Sequence, residues 1–227
     1  MRFLLLALLV SPAAVLAQAP APETLFNLIT LQAQAEREVP NDLLSATLAA
    51  EAEGADPAQL SAEVNKAMQA ALATAKSYAA VRARSGNYQT FPIYDKNRIT
   101  RWRVRQELRL ESADFSAATT LIGKLQASLV MSGMSLSVSP GARKQAENAL
   151  IPEALAAFEE RARLVRETMK AKGHRMQNLQ ISASGGVTPM PYAAMRASGM
   201  SASAPAPAIE AGTTRILITV SGTVQLQ

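Results

Sequence analysis

Arg101, Arg103, Arg105 and Arg109 fall on alternate positions of a single stretch, and this row is the clearest chemical feature of the chain. Side chains two apart on an extended strand point to one face. The four guanidinium groups would then stand in line, each offering a planar fork of donors suited to carboxylate or phosphate. Such a row can serve as a solvent face neutralised by neighbouring acids, as a subunit contact anchored by arginine, or as a site for anionic lipid headgroups or polysaccharide. Nucleic acid is the poorest fit, because no aromatic residues are interleaved with the arginines on that face.

Residues capable of catalysis are few. With one histidine, His174, and no cysteine, the chain offers neither a zinc site of the commonest kinds nor a Ser-His-Asp or thiol mechanism. A hydrolase would have to use carboxylates such as Glu159 and Glu160. Adjacent helical residues project about 100° apart, a poor arrangement for sharing a substrate. Glu159 and Glu160 are better placed to pair with Arg163 and Arg166 at helical spacing. His174 follows Gly173 at an expected helix end, where it would cap the helix and interact with its dipole. No catalytic residue, cofactor or metal is expected.

The elements that hold the arginines can be traced along the chain. From Arg98 to Glu111 the arginines alternate with Trp102, Val104, Gln106, Leu108 and Leu110, so the same strand turns an apolar face, bearing the only tryptophan, toward a core. Leu28 to Ala35 and Leu43 to Glu53 read as two strands joined by the polar turn 36–42, a β-hairpin. Gln32, Gln34, Glu36 and Glu38 on the first arm and Glu51 and Glu53 on the second are then the expected partners of the arginine row.

Asp56-Pro57, with Gln59 three residues after the cap, starts a helix expected over 57–83. Its apolar stripe includes Leu60, Val64, Met68 and Ala71, and its many alanines predict close approach to a sheet. Ser85-Gly86-Asn87 should end it. Tyr88 to Tyr94 reads as a strand at a sheet margin because of Pro92, and Asp95-Lys-Asn97 as the turn into the arginine strand. A second helix is expected over 114–129, broken by Ser132-Gly133, and then a short strand over 136–139. A longer helix follows over 142–172, kinked or interrupted at Pro152 and capped by Gly173. Met176 to Ser182 is another strand.

Two segments concern location and partners. Residues 1–17 combine Arg2, an apolar run from Phe3 to Val10 and small residues near Ala17, the parts of a cleavable export signal. The run is too short to span a membrane. Its removal takes one positive charge from the formal +5. Residues 18–227 then form the folded unit, long enough to bury roughly 70% of its unfolded surface. Within it, 185–212 is a Pro-, Ala-, Ser- and Met-rich loop, too long to be passive. Met190, Met195 and Met200, with Tyr192, would give it an adaptable surface for a partner subunit. A closing strand over 213–227 should lock the tail into a sheet.

This order of elements resembles the SIMPL-domain family, the periplasmic and outer-membrane immunogenic proteins of Gram-negative bacteria. Glu38-Val-Pro-Asn-Asp42 carries the resemblance at the first turn, Arg98-Ile-Thr-Arg-Trp-Arg-Val-Arg105 in the arginine strand, and Arg143 through Ala154, Ala162 and Lys172-Gly173 in the long helix and the strand after it. Gln34-Ala35-Glu36 and Arg101-Trp102 depart from the family's glycine-bearing pattern. The resemblance implies a mixed α/β (α+β) fold, a largely antiparallel sheet packed by Ala-rich helices. It implies export to the periplasm, with a tendency to form ring-like oligomers, and roles in envelope stress or outer-membrane integrity, without catalytic residues. The expected partners are further copies of the chain, with peripheral contact to the outer membrane or anionic envelope polymers. The competing reading is a monomeric module that binds such polymers or lipid headgroups through Arg101 to Arg109.

Overall fold

The computed structural model describes residues 26–184 and 210–227. Among these residues seven strands form two antiparallel sheets, each covered on one face by its own helix layer, with three helices in all. The larger sheet has four strands in the order β3-β4-β2-β5: β2 (Leu43–Gly54), β3 (Arg82–Asp95), β4 (Arg98–Ser112) and β5 (Val130–Ser137). Against it lie α1 (Pro57–Lys76) and α2 (Phe115–Leu125). The smaller sheet orders β1 (Leu28–Pro40), β7 (Thr213–Leu226) and β6 (His174–Ser184), under α3 (Pro140–Thr168).

Alternation in β4 is as the sequence predicts: Val104, Leu108 and Leu110 are buried while Arg101, Arg103 and Arg109 are exposed. Asp56 caps α1 by accepting the Ala58 N–H at 2.8 Å, with Pro57 in the first turn. Leu60, Val64, Met68, Ala71 and Ala75 then pack on Ala46, Leu48, Ala50 and Leu108, and the small residues on both sides permit the close helix-to-sheet approach. The helix stops at Lys76 rather than near residue 83, because Ser77 turns back on Thr74 and Arg82 already enters the ladder opposite Glu111.

Ser85-Gly86-Asn87 is therefore no helix end but an irregularity within β3, where pairing jumps from Ser85 to Tyr88. A Cβ on Gly86 would come within 2.9 Å of the Glu107 Cβ. Likewise Ser132-Gly133 lies inside β5, at a bulge opposite Thr47 and Leu48. The margin position expected for the Pro92 strand holds, since β3 is an outer strand.

The expected hairpin of the first two strands is overturned. β1 pairs with β7 along its whole length, whereas β2 pairs with β4 and β5. Glu36 to Pro40 continue β1 instead of turning, because Thr213 to Leu217 offer them a ladder. Pro40 sits at the strand end, where its missing N–H costs little. Asn41 then crosses to the other sheet, its side chain donating to the Ala211 carbonyl at 2.8 Å and accepting from Thr214 Oγ1 at 2.6 Å.

Helix α3 runs through Pro152 without a break, which removes the interruption from the two outcomes expected there, a kink or a break. The proline forgoes one main-chain bond, while Leu150, Ala154, Phe158 and Ala162 on the same face are all buried against β7. At its end Lys170, with φ 54°, takes the left-handed position expected of Gly173. Gly173 instead pairs with Gln227, tying the C-terminus to the start of β6. Strand β7 lies between β1 and β6 with Ile216, Ile218, Val220 and Val224 buried, so the tail is locked into a sheet as the alternation predicts.

Candidate interaction surfaces

The arginine row is an interleaved ion ladder. Antiparallel register sets Glu51 opposite Arg105 and Glu53 opposite Arg103. Glu53 takes Arg101 at 2.8 Å and Arg103 at 3.0 Å, while Glu51 takes Arg103 and Arg105, both at 3.2 Å. Arg105 also donates to Ser132 Oγ on β5, and Arg109 reaches Glu107 at 3.3 Å. The hydrogen bond to Glu53, then the charges of Glu51 and Glu53, push the Arg103 pKa above its ordinary value. This is the acid-neutralised solvent face among the sequence readings. The first strand contributes nothing to it: Glu36 and Glu38 face Arg215, and Arg37 pairs with Glu153 on α3. The cause is the placement of β1 in the other sheet.

His174 is no helix cap. It opens β6, and its Nε2 lies 2.9 Å from the Glu159 carboxylate while Nδ1 is buried without a partner. Glu160 turns away to Arg163, whose hydrogen bond holds its carboxyl below the ordinary glutamate range. The two carboxylates thus have separate structural partners. Among the described residues no group of three or more His, Cys, Asp or Glu could hold a metal ion. No described helix is long and apolar enough to cross a membrane. Met190, Tyr192, Met195 and Met200 lie outside the described residues, as does the 1–17 segment.

Sheet edges expose main-chain donors and acceptors, so their protection bears directly on association. β3 carries Pro92 and two register irregularities. β5 is short and bulged. β1 bears Glu36, Arg37 and Glu38, ends in Pro40, and gives its Gln32 carbonyl to the Arg161 guanidinium. β6 differs from all three. It has eleven residues, no proline, one charged side chain other than His174, and one irregularity near its start.

Leu179 stands opposite Gly222 and Ile181 opposite Val220, on the sheet face that carries α3. Yet no β6 residue enters that core, and Met176, Leu179 and Ile181 remain 41%, 37% and 43% exposed. The sequence shows the strand but not its place at the edge, which depends on β7 returning from the far end of the chain. A second feature that the sequence reading passes over is the tip of the β3–β4 hairpin, where Tyr94 and Ile99 are exposed beside Lys96 and Arg98. Its signal was the turn Asp95-Lys-Asn97 itself, flanked by apolar residues that have no role in the core.

No curated protein matches the chain. The family model SIMPL, described as a protein of unknown function (DUF541), matches residues 29–224, a range that runs from β1 through most of β7. The chain belongs to the SIMPL family.

Proposed function

We propose that this chain is an exported, non-enzymatic protein that acts by assembling with copies of itself in the periplasm, in an envelope-integrity or stress-protective role. The observation that carries the assembly reading is the edge of β6, which has no further strand beside it among the described residues, with its exposed row Met176, Leu179 and Ile181. An open strand of this length with an apolar row on one face is a template for another strand, and the other three outer strands carry devices that discourage pairing. Membership of the SIMPL family and the export-type segment 1–17 support the location and role.

The arginine face is the weaker basis for function, because Glu51 and Glu53 already occupy Arg101, Arg103 and Arg105. The solution mass measured by light scattering after gel filtration, at low and at high salt, tests the assembly reading. An apolar strand-paired interface gives a mass above one chain that persists in salt. A single-chain mass at both salt concentrations overturns it.

A further inference from the structure

We propose that the tip of the β3–β4 hairpin is a contact site for a bilayer surface carrying anionic headgroups. Tyr94 and Ile99 sit at the polar–apolar boundary of the bilayer, and Lys96 and Arg98 reach the lipid phosphates. The last β4 residue backed by β2 is Trp102, opposite Gly54. Residues 98–101 and their partners 93–95 therefore extend beyond the sheet as a two-stranded arm. Lys96 and Asn97 close it as a two-residue turn with φ 46° and 65°, a geometry that matches the strand twist and fixes the tip. Thr100 Oγ1 donates to the Ile93 carbonyl at 3.3 Å across the irregularity.

On this arm Tyr94 stands opposite Ile99, with exposures of 60% and 49%, and Phe91 is exposed farther down β3. None of the three belongs to either hydrophobic core. Arg101 at the base is held by Glu53, but among the described residues neither Lys96 nor Arg98 has an ion-pair partner, although Asp95 is adjacent. The tip thus combines free apolar side chains with free positive charge.

Both the shape and the chemistry select the occupant. A convex arm end with two exposed apolar side chains, Tyr94 and Ile99, offers far less than the ~800 Å² per partner of a stable protein interface. A bilayer boundary needs only a few amphipathic side chains. Tyrosine suits headgroup depth, with its ring toward the acyl chains and its hydroxyl toward water. Lysine and arginine lay their stems along apolar surface while the charged heads stay at the phosphates, and an anionic surface complements them.

The only tryptophan, Trp102, packs on the core of the large sheet at the base of the arm, too far from the tip to enter the acyl chains, so binding is read directly. The full chain is titrated with phosphatidylcholine vesicles, with and without phosphatidylglycerol, and the bound fraction is measured by co-sedimentation. Binding that strengthens with phosphatidylglycerol is expected. The pair Tyr94→Ser and Ile99→Ser should abolish it, and Lys96→Gln with Arg98→Gln should raise the half-saturating lipid concentration by roughly thirtyfold. Because all four side chains are exposed, an unchanged thermal melt confirms that the variants fold.

Vesicle binding that survives Tyr94→Ser and Ile99→Ser would place the contact elsewhere, for instance on the apolar run Phe3 to Val10, and would overturn the proposal. So would binding that phosphatidylglycerol does not strengthen. A solution mass that falls to a single chain in the Tyr94→Ser and Ile99→Ser variant without lipid would make the arm a contact between copies, and equally overturn it.

Discussion

Asp42 binds Ser139 through both carboxylate oxygens: the Ser139 main-chain N–H donates to Oδ1 at 2.5 Å and the Ser139 hydroxyl to Oδ2 at 2.7 Å. Each residue lies where the chain crosses from one sheet to the other, Asp42 between β1 and β2 and Ser139 between β5 and α3. The Asp42 N–H also donates to the Ser137 carbonyl, so the two crossings are stitched side by side. The hydrophobic clusters of the two sheets are separate. This polar junction therefore couples two layers that share no core.

Removing either partner should loosen the junction. Ser139 is also the N-cap of α3, so Ser139→Ala should cost about 1 kcal/mol in denaturant unfolding. Asp42→Asn should also destabilise, and the double variant should lose less than the sum of the singles because the two share one interaction. Burial alone would raise the Asp42 carboxyl pKa, but the hydrogen bonds from Ser139 outweigh it and hold the group below 3.8. The carboxylate's contribution is therefore present above that value and is lost as pH falls through the lower folded-state value. The gap between wild type and Asp42→Asn should close on acidification, as followed by urea midpoints across acidic pH.

Gly222 on β7 should tolerate no side chain. A Cβ there would sit 2.5 Å from the Asn178 main-chain oxygen and 3.2 Å from the Phe158 ring. Strand β6 and the buried ring of α3 both approach because the glycine leaves the space. Gly222→Ala should lower stability by about 2 kcal/mol through overpacking, seen as a lower denaturation midpoint with an unchanged slope. A wild-type midpoint would mean that β6 is free to shift, which would weaken the case for its edge as a fixed template.

The arginine face should become a polyanion site only when its acids are removed. Glu51 and Glu53 bridge Arg101, Arg103 and Arg105. Replacing both with Gln adds two net positive charges and leaves three guanidinium forks open. The double variant should elute from a heparin column at clearly higher salt than wild type. Equal elution would show that the row meets anions in spite of its acids.

The sequence carried the local features and lost the long-range ones. The alternation of β4 and the Asp56-Pro57 start of α1 depend on neighbours within a few residues, and both stand where the pattern puts them. The turn at 36–42 did not, because whether Glu36 to Pro40 bend or extend is decided by Thr213 to Leu217, almost the whole chain away. The same distance hid the partners of the arginines. Glu51 and Glu53 were legible as acids at the right period, but Glu36 and Glu38 carried an identical signal and belong to another sheet. His174 was misread for a similar reason, since its partner Glu159 lies back along α3 and the strand after the helix brings the two together.

A charge placed on the β6 edge should separate copies without unfolding the chain. An antiparallel pair of β6 strands related by a two-fold axis at Gln180 would set Leu179 of one copy opposite Ile181 of the other, on the face beside α3. The same arrangement keeps Arg175, near the start of the strand, away from its counterpart, so like charges do not meet. Leu179→Lys then places two ammonium groups beside the apolar pair, and the dissociation constant should rise about thirtyfold or more, equivalent to about 2 kcal/mol. Because Leu179 is more than a third exposed in the single chain, the thermal melt of the dissociated form should barely move. Lysine at Thr30, on the outer face of β1, is the control and should leave the mass unchanged. If Thr30→Lys dissociates the assembly and Leu179→Lys does not, the pairing edge lies on the opposite side of the small sheet.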